Sequence, residues 1–508
     1  MGDMATFLQG LVTVFQPMSV FSVFLGALLG VAVGVMPGLS SVMGMSIMLP
    51  LALQMKGTNG IMMLLGIFCG AIYGGSVTAC LLNTPGTANS VATALEGYPL
   101  STKYHQPGRA LSLSITASVF GGLFSSVMLL ITAPLLAKVA LKFSAPEYFA
   151  LALFGLSIVT GISSGSVLKG VIGALLGLFL STIGMDSFTG DFRFTGNSIY
   201  LTGGISFIPV LIGLFAFSQG MITVENKYGK KDKKVGKVKI ERTFLSKEDW
   251  KTIFPTLIRS SIIGTAIGAI PGTGGDIASW VGYNEAKRWS KHPEKFGDGA
   301  PDGIAGSEAA NNAISGGALI PLLTMGIPGD ACTAIMLGAL MMQGITPGPL
   351  LFKEETLKVY LIIIGLFVAN VCMAVIGYGG IRIFSRIVDV PSIIMQPIIF
   401  MFCFIGTFAL NHNISDVFLM IICGYIGYFL IKMDFSIPPI ILGLILGRML
   451  EDNFRRSLTL SDGKLSIFFT RPISCVLLII AFLSLFYPFI LPFVKKKLAE
   501  RKAKKNAQ

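Results

Sequence analysis

The chain has 508 residues, of which 53% are hydrophobic and only 13% are charged, and its mean hydropathy is +0.75. This composition excludes an ordinary soluble domain, because the polar residues are too few to cover such a globule and apolar runs of roughly 20 residues recur. The formal net charge of +13 does not indicate nucleic-acid binding, because the basic residues concentrate in three hydrophilic segments, 225–251, 287–295 and 495–505.

The apolar runs predict helical spans along most of the chain. We expect spans near residues 19–36, 109–133, 147–183 (two short helices), 203–223, 252–270, 357–379, 392–410, 414–431, 437–450 and 472–494. Backbone groups in lipid must be hydrogen-bonded internally, which favours helices, and we find no ten-residue segments of alternating hydropathy. The sequence therefore predicts an all-α polytopic integral membrane protein. The positive-inside rule predicts that the basic linker and the C-terminus are cytoplasmic.

Other apolar segments lie beside Pro-Gly pairs and are predicted to be half-helices or re-entrant hairpins. They are 40–56, 60–83, 304–326 and 330–344. The polar stretch 187–200, "SFTGDFRFTGNSIY", is predicted to form a loop.

An internal repeat organises the chain. "GVAVGVMPG" at 30–38 matches "GTAIGAIPG" at 264–272, and "AIYGGSVTACLLNTPGTA" at 71–88 matches "AISGGALIPLLTMGIPGDA" at 313–331 with one inserted residue. The offset is nearly constant, which predicts two homologous halves. We expect a first membrane repeat at 1–224, a basic linker at 225–251, a second repeat at 252–464, and a C-terminal helix with a basic tail at 465–508. By analogy with other carriers, the repeats are expected to be inverted.

Each half contains two Pro-Gly breaks: Pro37-Gly38 and Pro85-Gly86, then Pro271-Gly272 and Pro328-Gly329. Proline removes a backbone donor and clashes with the preceding turn, whereas glycine permits open backbone conformations. Irregular backbone at membrane depth is tolerated where it is buried in protein or lines a cavity. Matched breaks in two halves are typical of a transporter's binding site, and the alternative is four kinked packing helices.

The breaks also predict which residues bind the substrate and the coupling ion. A helix that begins after a break presents unpaired N–H groups and a positive dipole end, which favours a carboxylate. The candidate anion ligands are Gly38, Ser40, Ser41, Thr87, Gly272, Thr273 and Gly274. Carbonyl and side-chain oxygens where a helix ends can coordinate a small cation. The candidates for that role are Asn83, Thr84, Gly326 and Ile327.

Acidic and amide residues near the breaks have two interpretations each. Asp276 and Asp330 fall in the first turn after a break, as helix caps or as ion-coupling groups. In "GSEAANNA", Glu308 is either an interfacial residue or a functional acid inside the membrane. Asn311 and Asn312, predicted to share its helix face, either bind substrate or join helices by hydrogen bonds.

The sequence gives little support for nucleotide binding, nucleophilic catalysis or metal binding. "PGTGGDIAS" lacks the Lys-Ser/Thr of a P-loop, and "GISSG" at 161–165 lacks the nucleophile-elbow order. The seven cysteines form no CxxC pair and the three histidines are far apart, so we expect neither a metal site nor a cofactor beyond a coupling ion. A carrier is the favoured interpretation, and an anion channel and an intramembrane enzyme remain alternatives.

At these motifs the chain resembles a known family. "GVMPGLSS", "LLNTPGTANSVATALEGYPL", "GSEAANNAISGGALIPLLTMGIPGD" and "GITPGPLLF" are similar to the large membrane subunit of tripartite tricarboxylate transporters. The resemblance covers nearly the whole chain. It implies a bacterial inner-membrane secondary transporter driven by a sodium or proton gradient. It also implies a small membrane subunit, a periplasmic solute-binding protein, and citrate or another organic anion as substrate.

Overall fold

The computed structural model describes residues 4–36, 39–84, 86–162, 166–227, 244–387 and 392–486. Three residues of the predicted breaks, Pro37, Gly38 and Pro85, lie outside the described residues, as does most of the predicted basic linker and tail.

The described chain is almost entirely helical, which confirms the predicted all-α class. The helices are α1 Met4–Val14, α2 Pro17–Val35, α3 Ser41–Gln54, α4 Asn59–Leu82, α5 Val91–Thr102, α6 Pro107–Ala140, α7 Ala145–Ile162, α8 Val167–Ser181, α9 Ile199–Thr202, α10 Phe207–Leu211, α11 Ser218–Lys227, α12 Lys247–Gly268, α13 Gly274–Trp289, α14 Pro301–Met325, α15 Ala331–Met342, α16 Leu351–Glu354, α17 Thr356–Ile387, α18 Ser392–Asn411, α19 Ile414–Lys432, α20 Pro438–Leu460, α21 Ile467–Thr470 and α22 Pro472–Phe486.

A few shorter elements connect these helices. The 3₁₀ turns Ala88–Ser90 and Pro293–Lys295 precede α5 and α14, and the π-helical segment Ile212–Phe217 joins α10 to α11. An antiparallel pair of two-residue strands, β1 Gly184–Met185 and β2 Phe192–Arg193, lies at the predicted polar loop.

Six helical segments of the described chain are long and apolar enough to cross a bilayer. They are Pro17–Val35, Asn59–Leu82, Pro107–Ala140, Phe207–Asn226, Thr356–Gly380 and Ile414–Lys432. Five of them coincide with spans predicted from the sequence. The protein is a multi-pass membrane protein.

The prediction of half-helices or re-entrant hairpins at 60–83 and 304–326 is wrong. α4 has 24 residues and α14 has 25, so at about 1.5 Å per residue each is at least about 36 Å long and exceeds a hydrocarbon core of about 30 Å. The Pro-Gly pairs at 85–86 and 328–329 follow these two long helices in the sequence and do not interrupt them. The helices that follow the breaks are short, with 14 residues in α3, 12 in α5, 16 in α13 and 12 in α15.

The chain folds into two compact units. One comprises residues 1–141 and 208–428, and the other comprises 142–207 and 429–508. The four breaks belong to the first unit. This division differs from the predicted domain boundaries, which follow the sequence repeat and stay a prediction.

The second unit is built around α7, α8 and α20, which pack on one another. A buried carboxylate, Asp186, pairs with Arg193 and with Arg455, the latter at 3.0 Å. Arg193 also pairs with Glu451 at 2.9 Å. These ion pairs attach the loop that carries β1 and β2 to α20.

The first unit is built on two similar helix crossings. α2 packs along α4, and α12 packs along α14. A Cβ on Gly34 would collide with the Ala71 carbonyl oxygen of α4, and a Cβ on Gly264 would collide with the Ala310 carbonyl oxygen of α14. Small residues allow helix backbones in a membrane to approach this closely. The sequence repeat matches α2 with α12 and α4 with α14, so both contacts lie between corresponding helices.

The helices α4 and α14 form the interior of this unit. All residues from 60 to 81 in α4 and from 303 to 324 in α14 are buried. A helix buried on all sides is surrounded by protein rather than lipid, so it can carry polar side chains if they find partners.

Candidate functional site

The second-half breaks contact each other directly. The backbone N–H of Gly272 donates to the carbonyl oxygen of Gly329 at 2.7 Å. Gly329 also lies against the carbonyl oxygen of Gly268 and against Ala318, leaving no room for a side chain. The breaks before α13 and before α15 therefore lie side by side.

In the first half, Gly86 is packed as Gly329 is in the second half. Gly86 lies against the carbonyl oxygen of Gly34 and the backbone of Gly75, and its N–H donates to the Gly75 carbonyl oxygen at 3.2 Å. Gly34 and Gly268 are matched positions of the repeat, as are Gly86 and Gly329. The two homologous halves and their inversion stay predictions.

Further contacts connect the helices that begin after the breaks. α3 packs against α15, and Ser41 and Cys332 lie in their first turns. The starts of α13 and α15 are joined by the Gly272–Gly329 hydrogen bond described above. The starts of α3, α13 and α15 thus lie in one region of the first unit.

Two residues at these starts are helix caps. The Ser40 hydroxyl accepts a hydrogen bond from the N–H of Met43 at 3.1 Å and so caps α3. The Asp330 carboxylate accepts from the N–H of Thr333 at 2.7 Å, and the Thr333 hydroxyl accepts from the N–H of Asp330, which completes a capping box. Capping is thus one role of Asp330, and its ion-coupling role stays a prediction.

Asp276 has a different environment. Its side chain is exposed in the first turn of α13. Its carboxylate is next to Gly274, which adopts a positive φ of 71°. An acidic group in a first turn is stabilised by the helix dipole, as the sequence indicated.

Several predicted anion ligands have donors that are already used within the protein. The Thr273 hydroxyl donates to the carbonyl oxygens of Ile267 at 2.6 Å and Ile270 at 2.9 Å, which closes the end of α12. The Gly272 N–H is bonded to Gly329, as described above. The buried Thr87 hydroxyl lies 3.2 Å from the Ser90 hydroxyl. Ligand roles for these residues stay predictions.

Asn311 is the exception. Its side chain is 0% exposed, and among the described residues neither its nitrogen nor its oxygen has a hydrogen-bond partner. A Cβ on Gly275, in the first turn of α13, would lie 2.7 Å from Asn311 Oδ1. The side chain of Asn311 therefore reaches the start of α13.

Asn312 shares the predicted helix face with Glu308, whereas Asn311 contacts a different neighbour. Adjacent helical residues point about 100° apart at 3.6 residues per turn, so they contact different neighbours. The Asn312 amide donates to the Glu308 carbonyl oxygen at 3.1 Å and to its carboxylate at 3.3 Å, one turn earlier. Asn312 therefore supports Glu308, whereas Asn311 points to α13.

Glu308 is buried in the protein rather than interfacial. Its side chain is 0% exposed. Its carboxylate accepts hydrogen bonds from the hydroxyls of Thr93 on α5 at 2.5 Å and Ser118 on α6 at 3.0 Å, besides the Asn312 amide. All three donors are neutral, so they hydrogen-bond the carboxylate without balancing its charge.

The predicted cation ligands lie where the long helices end. Asn83 ends α4 and Gly326 ends α14, both in the left-handed region, with φ of 53° and 73°. The N–H of Gly326 donates to Leu322 O at 2.9 Å, and that of Ile327 donates to Pro321 O at 3.4 Å. Asn83 is exposed, as is Thr84. Asn83 and Gly326 occupy matched positions of the repeat and have the same left-handed backbone conformation. Cation binding there stays a prediction.

Sequence reasoning missed Glu96. This 0% exposed carboxylate on α5 accepts hydrogen bonds from the Tyr283 hydroxyl of α13 at 2.7 Å and from backbone N–H groups of the α13–α14 connection. Those groups belong to Gly297 at 2.5 Å, Gly299 at 2.8 Å and Ala300 at 2.8 Å. The available signal was one acidic residue in the apolar stretch "ALEGYP".

Outside the spans, an ion pair lies near this cluster. Lys103 Nζ lies 2.6 Å from Asp298 Oδ1, and the Tyr104 hydroxyl donates to Asp298 at 3.0 Å. The hydrogen bond from Lys103, together with that from Tyr104, lowers the pKa of Asp298, and the hydrogen bond to Asp298 raises the pKa of Lys103.

The arrangement offers backbone N–H donors at several helix starts, which can hydrogen-bond an acceptor group. Several helices begin at one place, and none of the site residues in the described part of the chain is basic. The helix starts carry partial positive charge, and the carboxylates of Asp276 and Asp330 lie at two of them. The described residues contain no group of three or more His, Cys, Asp or Glu that could hold a metal ion.

Comparison with known proteins identifies the same family as the sequence motifs. The model of the tripartite tricarboxylate transporter TctA family matches residues 20–442, a range that contains all four breaks. An uncharacterized 52.8 kDa protein in the TAR-I ttuC' 3' region of Agrobacterium vitis is 38% identical over 488 residues, covering 96% of each chain.

A second Agrobacterium vitis relative, an uncharacterized protein in the TAR-II ttuC' 3' region, is 37% identical over 215 residues. That match covers 42% of this chain and 89% of the relative. No solved structure matches the chain. The resemblance predicted from the sequence motifs is confirmed, and the chain belongs to the tripartite tricarboxylate transporter TctA family.

Proposed function

We propose that this chain is the large transmembrane subunit of a binding-protein-dependent secondary transporter that imports citrate or a related organic anion. Transport is coupled to a sodium or proton gradient across a bacterial inner membrane. A small membrane subunit and a periplasmic solute-binding protein complete the system, and the basic linker and C-terminus are cytoplasmic. Family membership supports the transport role, and the substrate, coupling ion and partners are the proposed part.

The observation that carries this proposal is the unpartnered, fully buried amide of Asn311 beside the start of α13. Leaving a buried polar group without a hydrogen bond costs about 1–3 kcal/mol, so such groups are rare unless a ligand completes them. The adjacent helix start, with its positive dipole end, favours a carboxylate as that ligand.

We assign ion coupling to Glu308. A buried carboxylate with neutral partners is expensive, and a bound proton or sodium ion would neutralise it. Glu308 lies one helical turn before Asn311 on α14. A cation that occupies Glu308 is therefore close enough to the anion site to affect substrate affinity electrostatically, since such interactions are poorly screened inside a protein.

The test is uptake of labelled citrate into proteoliposomes that contain this chain, its small subunit and its binding protein. Sodium and proton gradients are imposed separately. A carrier gives saturable uptake under one gradient only and requires the binding protein. Flux without a gradient or a binding protein would instead indicate a channel, and no uptake under either gradient would contradict citrate as the substrate.

A further inference from the structure

The region around Gly275 contains a second amide that the sequence motifs did not single out. We infer that Asn89 and Asn311 together bind one carboxylate group of the transported anion, on either side of Gly275. This inference rests on the proposed transport function and specifies how that site recognises its substrate.

The geometry places both amides at one point. Asn89 lies in the 3₁₀ turn that follows the Pro85-Gly86 break, and Gly275 lies in the first turn of α13. A Cβ built on Gly275 would collide with the side-chain nitrogen of Asn89 and would lie 2.7 Å from Asn311 Oδ1. Because glycine has no side chain, the two amides can approach the same backbone position, and their polar atoms lie close to each other there.

The two amides come from different halves of the repeat. Asn89 belongs to the first half and Asn311 to the second, and the turn that carries Asn89 packs against both α13 and α14. A ligand bound between them would therefore connect the halves. A change in the relative position of the halves would alter its binding, as alternating access requires.

The chemistry selects a carboxylate. An ionised carboxylate is acceptor-only, and each asparagine amide offers two N–H donors once its nitrogen is turned toward the ligand. The Asp276 carboxylate lies next to Gly274. The N–H groups of Gly274 and Gly275, in a first turn that has no intrahelical acceptor for them, complete the donor set.

A purely structural role does not account for Asn311. If Asn89 and Asn311 joined the helices by a mutual hydrogen bond, the Asn311 amide would be satisfied, yet neither of its polar atoms has a partner in the described chain. A third molecule that hydrogen-bonds both amides resolves this.

The experiment measures thermal unfolding of the purified chain, in complex with its small subunit, with acetate, succinate or citrate and with the uncharged trimethyl ester of citrate. In the wild type, at least one carboxylate should raise Tm and the ester should not. The near-isosteric changes Asn89→Asp and Asn311→Asp place a negative charge at the amides. They should weaken carboxylate binding by about 10-fold or more, since hydrogen bonds to a charged group are lost.

Two further variants keep the test informative. Asn311→Ala removes the amide without adding charge and replaces Asn311→Asp if that variant does not fold. Asn370→Asp is the matched control, because Asn370 is also a buried asparagine with an unpartnered side-chain oxygen within the described residues, but it lies on α17 beside Gly122.

The outcomes separate the two proposals. If carboxylates stabilise the wild type and the Asn89 and Asn311 variants equally, the amide pair is not the site while the transport proposal stands. If no carboxylate stabilises the wild type and proteoliposomes show no uptake, both proposals fail. Loss of stabilisation in these variants but not in Asn370→Asp supports the inference.

Discussion

The Glu96 carboxylate of α5 and the Tyr283 hydroxyl of α13 share a hydrogen bond of 2.7 Å. α5 follows the second break of the first half and α13 follows the first break of the second half. At their near ends, Asn89 lies against Gly275. The two short helices are thus joined near their starts and near their middles, which holds the candidate site in one arrangement.

Replacing Glu96 by alanine should destabilise the protein. Three backbone N–H groups and the Tyr283 hydroxyl would lose their acceptor, and a buried unsatisfied donor costs about 1–3 kcal/mol. We expect a clear drop in Tm in detergent. The control is Glu354→Ala at an exposed position of α16. Equal Tm values for the two variants would contradict a holding role for Glu96.

Gly86→Ala and Gly329→Ala should impair transport to a similar degree. In each case the added methyl meets the backbone of a neighbouring helix, at the carbonyl oxygen of Gly34 or of Gly268, so the break must shift. Gly379→Ala is the matched control, because a Cβ there meets open space in the described structure. Normal uptake by both variants in proteoliposomes would refute the role of these close contacts.

Glu308→Gln should uncouple transport from the gradient. The amide keeps the size of the side chain but cannot take up a proton and binds a cation poorly. We expect substrate exchange between preloaded vesicles and medium to persist, while gradient-driven accumulation is lost. A Glu308→Gln protein that accumulates substrate with the wild-type ion dependence would remove Glu308 from the coupling mechanism.

The Lys103–Asp298 pair predicts a pH-dependent contribution to stability. The lowered pKa of Asp298 stabilises the fold above the unfolded carboxyl pKa of about 3.9, and this stabilisation is lost as pH falls through the folded pKa. The raised pKa of Lys103 stabilises below about pH 10.4 and loses its effect as pH rises through the folded value.

The measurement for this pair compares Tm of the wild type and Lys103→Ala across pH. The difference should be present near neutral pH and should disappear in strong acid. Because the pair is exposed, added salt should also reduce the difference. A difference that persists unchanged in acid would show that Lys103 acts by packing instead.

The sequence by itself determined the class of this protein, the positions of its Pro-Gly breaks and its family. Hydropathy over about 20 residues and backbone chemistry at proline and glycine are local properties, so they can be read without a structure. Local patterns failed for α4 and α14. Their many small and polar residues resemble interrupted helices, but packing inside the protein allows both helices to run unbroken.

Only the tertiary structure decided which polar residues meet. Asn89, Gly275 and Asn311 are distant in sequence, and so are Glu96 and the backbone of residues 297–300 that it binds. Nothing in the local sequence indicates which amide faces which helix start, because that depends on how the helices cross. The close crossings of α2 with α4 and α12 with α14 bring the breaks together and leave Asn311 beside α13.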